Sequence, residues 1–430
     1  MKDATAKRNA QLQETQPARM QNIAAIVEHL KRGASPASKR IGIELEHICV
    51  DADGRALGYG QTGGVRDALE ALSERYPEKT VHNGDPLGVG RPGAVITLEP
   101  AAQVELSAGP FERLADAQAS FEEFERDLDD ALKPHGGRAL ALGYDPKCVA
   151  ATKELIPKAR YAYMNRYLGD ISPWGPRMMR GSASTQVSID YADEADAINK
   201  MQVAQMIAPL LALICDNAPY FEGRVRPHTL MRTEIWKHCD PARCGTVPGA
   251  LDPDFDFTDY AAFLLDFPAI VRLDAQGEAH LDTRTFGEIY AAKPMNDADV
   301  AHAMSMTWPD VRLKSYIEIR PADSMPIPYV IAYGALIKGI FYTPENLTKL
   351  RCTLGPVGGT AVATAKDELM KHGYSAEVYG HPAAKLCDML IELGRKGLEP
   401  DEQGYIEPLA ELVAARETLA ERQLRAEGAK

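Results

Sequence analysis

The sequence predicts an α+β fold built on an antiparallel sheet. Three observations carry that expectation. Runs with strand alternation and runs with helical spacing of apolar residues both occur. They do not follow one another in a regular strand–helix–strand order, which argues against a parallel sheet. Four of the strand-like runs pair one apolar face with one polar face, as antiparallel strands do.

The elements follow in order. Residues 1–19 are polar. Ile23, Ile26, Val27 and Leu30 recur at helical spacing between Met20 and Lys31, and Gly33 with Pro36 ends that helix. The first strand run is Arg40–Asp51, closed by a turn at Asp51–Gly54. Residues 62–76 read as a helix. Residues 83–93 are rich in Gly and Pro and read as a loop, the GVGRPG stretch at Gly88–Gly93 included. A second strand run is Ala94–Ser107, and a long helix follows over Phe111–Leu132. The middle is loop-rich, punctuated by Pro146, Pro157, Pro173 and Pro176. The third strand run is Ala183–Tyr191. Asp193 or Asp196 can cap the next helix, which reaches about Asp216. Residues 222–256 look irregular, with Pro227, Pro241, Pro248 and Pro253. The fourth strand run is Val311–Pro321. The C-terminal part is helical, over Pro328–Tyr342, Thr360–Lys371, Ala383–Lys396 and Ile406–Ala426. This divides the chain into a helical extension (1–38), a catalytic region (39–350) and a C-terminal helical region (351–430) packed on the same domain.

Charge and composition narrow the class. The 430 residues hold 48 Lys and Arg against 61 Asp and Glu, a net charge of −13. Such a balance disfavours nucleic acid or an anionic membrane surface as a partner. No run of about 18 apolar residues suggests a membrane span. The N-terminal stretch lacks the apolar core of a secretory signal. The seven cysteines are scattered and odd in number, which reads as a reducing cytoplasm.

Chemistry enters through strand parity. Side chains alternate faces along a strand. Ile41, Ile43 and Leu45 point one way, Glu44 and Glu46 the other. Val104 and Leu106 oppose Gln103, Glu105 and Ser107. Val187 and Ile189 oppose Gln186, Ser188 and Asp190. Leu313, Ile317 and Ile319 oppose Lys314, Tyr316, Glu318 and Arg320. Like charges side by side destabilise a sheet. Hard divalent cations relieve that repulsion and prefer oxygen ligands. A face carrying Glu44, Glu46, Glu105 and Glu318, with Glu99 beside them, would hold Mg²⁺ and, through it, a nucleoside triphosphate. The usual phosphate loop, GxxxxGK[ST], is absent. His47 shares parity with Leu45 and reads as a core histidine. His238, Cys239 and Cys244 lack the fourth ligand of structural zinc.

These residues occur in stretches that resemble one family. IGIELEH (41–47), VITLEPAAQVELSAGP (95–110), RYAYMNRYL (160–168), MMRGSASTQVSIDY (178–191), MRTEIWKHCDPARCG (231–245) and WPDVRLKSYIEIR (308–320) resemble, in order, the plant- and proteobacterial-type glutamate–cysteine ligases. That family lies within the glutamine-synthetase-like carboxylate–amine ligases. The resemblance implies a curved antiparallel sheet, related to that of guanidino kinases, with the active site on its concave face and helices behind. It implies ATP- and Mg²⁺-dependent joining of L-glutamate to L-cysteine through a γ-glutamyl phosphate, the first step of glutathione synthesis, by a monomer or homodimer.

Roles follow from the matched positions. Glu44, Glu46, Glu99, Glu105 and Glu318 would ligate metal. Arg320, Lys314 and Arg232 would serve the chemistry, Arg320 by binding phosphate or carboxylate through its fork. Gln186, Ser188, Asp190 and Gln103 would contact the nucleotide. Arg160, Tyr161, Met164 and Trp236 would line the amino-acid pocket. The match departs at Ala101-Ala102, where the family often has Gly-Gly, at Ser188, before Trp308, and at Pro321-Ala322. A γ-glutamyl ligase using another amine, a guanidino kinase and a catalytically inactive homologue stay open as alternatives.

Overall fold

A computed structural model describes residues 17–274 and 276–428. Residues 1–16 of the predicted 1–38 extension lie outside the described residues. The helix expected between Met20 and Lys31 runs over Pro17–Arg32 (α1).

One antiparallel sheet of nine strands organises the molecule. Its strands are β1 (Ile41–Val50), β2 (Glu78–His82), β3 (Asp85–Arg91), β4 (Ala94–Leu98), β5 (Val104–Phe111), β6 (Arg138–Leu140), β7 (Thr185–Ile189), β8 (Val311–Leu313) and β9 (Ile317–Ile319). The order is β8-β9-β7-β1-β5-β4-β3-β2, with β6 pairing the far end of β1. β1 is central. It pairs β5 with Glu46 opposite Glu105 and Leu45 opposite Leu106, and pairs β7 with Glu44 opposite Gln186. β9 pairs β7 with Glu318 opposite Ser188.

Alternation sorts the two faces. Ile41, Ile43, Leu45, Leu106, Val187, Ile189, Ile317 and Ile319 are all buried on one of them. Two helices cover that face: α2 (Leu114–Leu132), which packs on β5, and α3 (Ile327–Phe341), which packs on β1 and β7. The α3 backbone comes so close that a side chain at Gly334 would touch Ile41 and Ile43, its Cβ 3.2 Å from both Cδ1 atoms. Fully burying each such aliphatic side chain contributes about 1.5–3 kcal/mol. The core continues without a break from Ile23 to Val413, so α1 and the C-terminal helices share it.

Five sequence expectations need correction. Ala94–Ser107 is not one strand but the hairpin β4–β5, turned at residues 99–103. Ala102 adopts φ 65° there, and its N–H donates to Glu99 O at 3.0 Å. Val311–Pro321 is likewise a hairpin, with Leu313 opposite Ile317 and Lys314 N–H donating to Tyr316 O at 2.7 Å. Residues 85–91 form β3 rather than a loop. Gly88 permits it, because a Cβ there would lie 2.8 Å from Ile96 O on β4. Two helices occupy the middle region read as loop-rich, α4 (Ala159–Ile171) and α5 (Trp174–Gly181). A third, α6 (Met231–Lys237), interrupts the stretch read as irregular. Asp193 does cap the helix Glu194–Ile214, accepting from Asp196 N. That helix is long and apolar enough to cross a membrane, but 89% of its central window is buried inside the molecule.

Candidate active site

The polar face of the sheet floors two adjoining cavities of about 300 and 350 Å³ that meet at Glu44. The first is lined by Glu44, Glu46, Glu99, Gln103 and Glu105 from the sheet and its turn. α4 and α5 add Arg160, Tyr161, Met164, Met178 and Met179. α6 adds Arg232 and Trp236, and the β8–β9 region adds Trp308, Arg312 and Arg320. The second lies beyond Glu44, among Arg40, Gly42, Gly93, Ser107, Ser188, Asp190 and Tyr316.

Most sequence-predicted residues therefore converge. Twelve of the sixteen line the first cavity. Ser188 and Asp190 line the second instead of sharing one floor with Gln186. Glu318 and Lys314 line neither. Glu318 is wholly buried and is the hub of a cation cluster. Arg312 holds it with a fork, Nε to Oε2 at 2.7 Å and Nη2 to Oε1 at 2.9 Å. Lys314 Nζ bonds Oε1 at 3.0 Å, and Arg320 Nη1 bonds Oε2 at 2.7 Å while also holding Gln186 Oε1. Burial alone would raise the Glu318 pKa. The charges of Arg312, Lys314 and Arg320 outweigh it and hold the carboxyl well below its ordinary value.

The other carboxylates shift the opposite way. Glu44, Glu46, Glu99 and Glu105 are all raised, with burial as the first cause in each. Glu99 is pushed up to about 7, Glu46 adding to burial. Glu105 is raised well above its ordinary value, by burial first and then by the charges of Glu44, Glu99 and Glu46. Local hydrogen bonds only partly offset this. Ser184 gives Glu46 its backbone N–H at 3.0 Å and its hydroxyl at 2.7 Å. Thr97 and Ser107 both donate to Glu105 Oε1, at 3.0 and 3.3 Å.

Three donors are left over. Arg160 Nε, Arg232 Nε and Trp236 Nε1 are buried without a hydrogen-bond partner. Each belongs to a residue lining the first cavity. Their neighbours are otherwise engaged: Arg160 Nη2 donates to Ser305 O at 3.0 Å, and Arg232 Nη1 to the carbonyls of Arg320, Pro321 and Ala322. Unpaired buried donors cost free energy unless a ligand satisfies them. An anionic ligand would.

The donor set also bears on metal. Among the described residues, no three His, Cys, Asp or Glu side chains converge closely enough to form a ready cage. The carboxylates of Glu44, Glu46, Glu99 and Glu105 are nevertheless oxygen-only donors in mutual repulsion, which suits a hard divalent cation. His47 faces the core, as parity predicted, with Nε2 3.2 Å from Glu125 and its ring edge-on to Phe124. The sequence reading missed Arg312 and Ser184. Arg312 has the parity of Glu318, but the two meet only because the run folds back as a hairpin. Ser184 precedes β7 and left no pattern.

The site is thus a charged cavity on the polar face of an antiparallel sheet whose apolar face is covered by helices. A solved glutamate–cysteine ligase from Francisella tularensis, in complex with AMP, shares the fold with a TM-score of 0.56 at 10% identity, over 90% of this chain and 84% of that one. The model of glutamate–cysteine ligase family 2 matches residues 40–428, and the chain belongs to that family of enzymes. The chloroplastic glutamate–cysteine ligase of Medicago truncatula is 27% identical over 427 residues, 93% of this chain and 80% of that one. The Arabidopsis thaliana enzyme of the same name is 27% identical over 429 residues, covering 93% and 78%.

Proposed function

We propose that the protein joins the γ-carboxylate of L-glutamate to the amine of L-cysteine at the expense of ATP, giving γ-glutamylcysteine. One observation carries the reading: buried carboxylates in mutual repulsion and unsatisfied donors line a single cavity. The donors of Arg160, Arg232 and Trp236 would take the carboxylates of the amino acids. The nucleoside of ATP would occupy the second cavity, by Arg40 and Tyr316, with its phosphates crossing Glu44 into the first.

A carboxylate is a poor electrophile, so the reaction needs an activated form. A γ-carboxylate oxygen attacks the terminal phosphorus, ADP departs, and the acyl phosphate carries a good leaving group. The amine then attacks the carbonyl carbon and phosphate leaves. Transfer of this kind depends on positioning and charge neutralisation. Arg320 and Arg312 supply positive charge at the cavity wall, and Lys314 shares the charge of Glu318 with them. Mg²⁺, when bound, supplies further neutralisation of phosphate charge. Glu44, Glu46, Glu99 and Glu105 would hold it, with Glu318 as a fifth oxygen donor once a substrate anion competes for its cations. Residues 39–350 would carry this chemistry. Seven unpaired cysteines fit a reducing compartment, and we assign the protein to the cytoplasm on that ground.

Oxygen transfer tests the activation step. With glutamate labelled by ¹⁸O in its γ-carboxylate, one label should appear in released phosphate. Unlabelled phosphate alongside product formation would rule out the acyl phosphate.

A further inference from the structure

Two arginines of the first cavity are held by one short backbone segment. Arg160 Nη2 donates to Ser305 O at 3.0 Å, and Arg312 Nη1 donates to Thr307 O at 3.1 Å. The next residue, Trp308, is itself part of the cavity wall. This segment is one of the places where the sequence departs from its family resemblance. What fixes it lies behind it, away from the cavity.

Arg243 is the largest wholly enclosed side chain, 1% exposed. Its guanidinium works in three directions. Nε bonds Asp240 Oδ2 at 2.6 Å, Nη1 bonds Met306 O at 2.8 Å, and Nη2 bonds Pro268 O at 2.7 Å. Its own carbonyl accepts from Trp308 N at 2.8 Å and from Thr307 Oγ1 at 3.2 Å. Three rings pack around the cation, Phe267 at 5.0 Å, Tyr167 at 5.4 Å and Trp308 at 5.5 Å to their centroids. Arg243 thus grips Met306, Thr307 and Trp308 from both main chain and side chain. A buried ion pair is rarely more stabilising than well-packed apolar groups. What a guanidinium adds is fixed direction: a planar fork with donors at set angles.

We infer that Arg243 is the positioning residue of two arginines of the first cavity: by clamping residues 306–308 it orders the segment whose Ser305 and Thr307 carbonyls hold Arg160 and Arg312, and it sets Trp308 as the wall beside them. Arg243 lines neither cavity and would act through the residues it holds. The inference rests on the ligase reading for its kinetic consequences, and on geometry alone for its structural ones.

The test is Arg243→Lys. Lysine keeps a charge for Asp240 and loses the fork. Folding is checked by circular dichroism and the unfolding midpoint. The KM for L-glutamate should rise about tenfold or more and kcat should fall by a similar factor, since small misplacement of binding groups is costly. The KM for ATP should rise less than that for L-glutamate, because the nucleoside would sit in the second cavity, which neither Arg160 nor Arg312 lines. Asp240→Asn, which loosens the Nε anchor, should give the same split at smaller size and serves if the lysine variant does not fold. Wild-type constants in a folded variant overturn the inference. So does a fall in kcat alone that tracks the folded fraction with both KM values unmoved, because that is a purely structural effect. If the wild-type protein neither turns over nor binds L-glutamate by calorimetry, the ligase reading falls. Arg243 is then judged on Trp308 fluorescence in a Trp174→Phe, Trp236→Phe background. A red shift in the lysine variant supports the clamp, and unchanged emission overturns it.

Discussion

Glu46 and Glu105 stand directly opposite each other on neighbouring antiparallel strands, each only 8% exposed. Two like charges in register destabilise a sheet. Glu105 feels Glu44 and Glu99 as well, after burial itself. Removing one charge should therefore relieve the metal-free protein. Glu105→Gln is expected to raise the unfolding midpoint by a few degrees at pH 8 in the presence of a chelator. Added Mg²⁺ should raise the midpoint of the wild-type protein and scarcely move that of the variant. Turnover should fall at least about 100-fold, the scale seen when one charge-stabilising group is removed. A variant less stable than wild type without metal would refute the repulsion argument.

Arg320 joins Gln186 to Glu318 and lies 5.9 Å from the Trp236 ring centroid. Lysine in its place keeps the charge but cannot hold both partners and a substrate anion at once. Arg320→Lys should lower kcat by about 100-fold or more, with an unfolding midpoint close to that of wild type. Equal kcat in a steady-state assay would remove Arg320 from the reaction.

The turn between β4 and β5 places Ala102 at φ 65°. A side chain in the left-handed region costs about 1–2 kcal/mol, and glycine avoids that cost. Part of the gain is offset by the greater freedom of glycine in the unfolded chain. Ala102→Gly should stabilise the protein by up to about 1 kcal/mol in urea unfolding. A clear loss of stability would mean that the Ala102 methyl group packs better than the backbone strain suggests.

Asp323 offers a pH test away from the carboxylate floor. Burial first, then Asp216, pushes its pKa up to about 7 against the pull of Arg232, Asn217 N–H and Arg226. The native state thus holds its proton more tightly than the unfolded chain, whose carboxyl titrates near 3.8. Its stabilising contribution is complete below about pH 4 and is lost as pH rises through about 7. Asp323→Asn should show a smaller drop in stability between pH 5 and 8 than wild type. Parallel pH profiles for the two proteins would contradict the assignment.

Much of this was legible from parity alone. Glu44, Glu46, Gln186 and Glu318 share a face because strands alternate, and apolar partners such as Ile43 and Val187 fix which face is inside. Turns were less legible. Pro100 interrupts the run, but Ala101-Ala102 carries no glycine of its own to mark a left-handed residue, so β4 and β5 read as one strand. The same blindness hid Arg312, whose tie to Glu318 exists only across a hairpin. Arg243 sits in a matched stretch, yet its role depends on Met306 and Pro268, which only tertiary packing brings to it. Period-two reasoning finds what one strand presents, not what two distant segments share.

Joining of glutamate to cysteine at this cavity has a direct readout. Purified protein with ATP, Mg²⁺ and L-glutamate should release ADP in step with added L-cysteine, and mass spectrometry should find γ-glutamylcysteine in equal amount. ADP release that ignores cysteine, or that follows a different amine instead, would contradict the account.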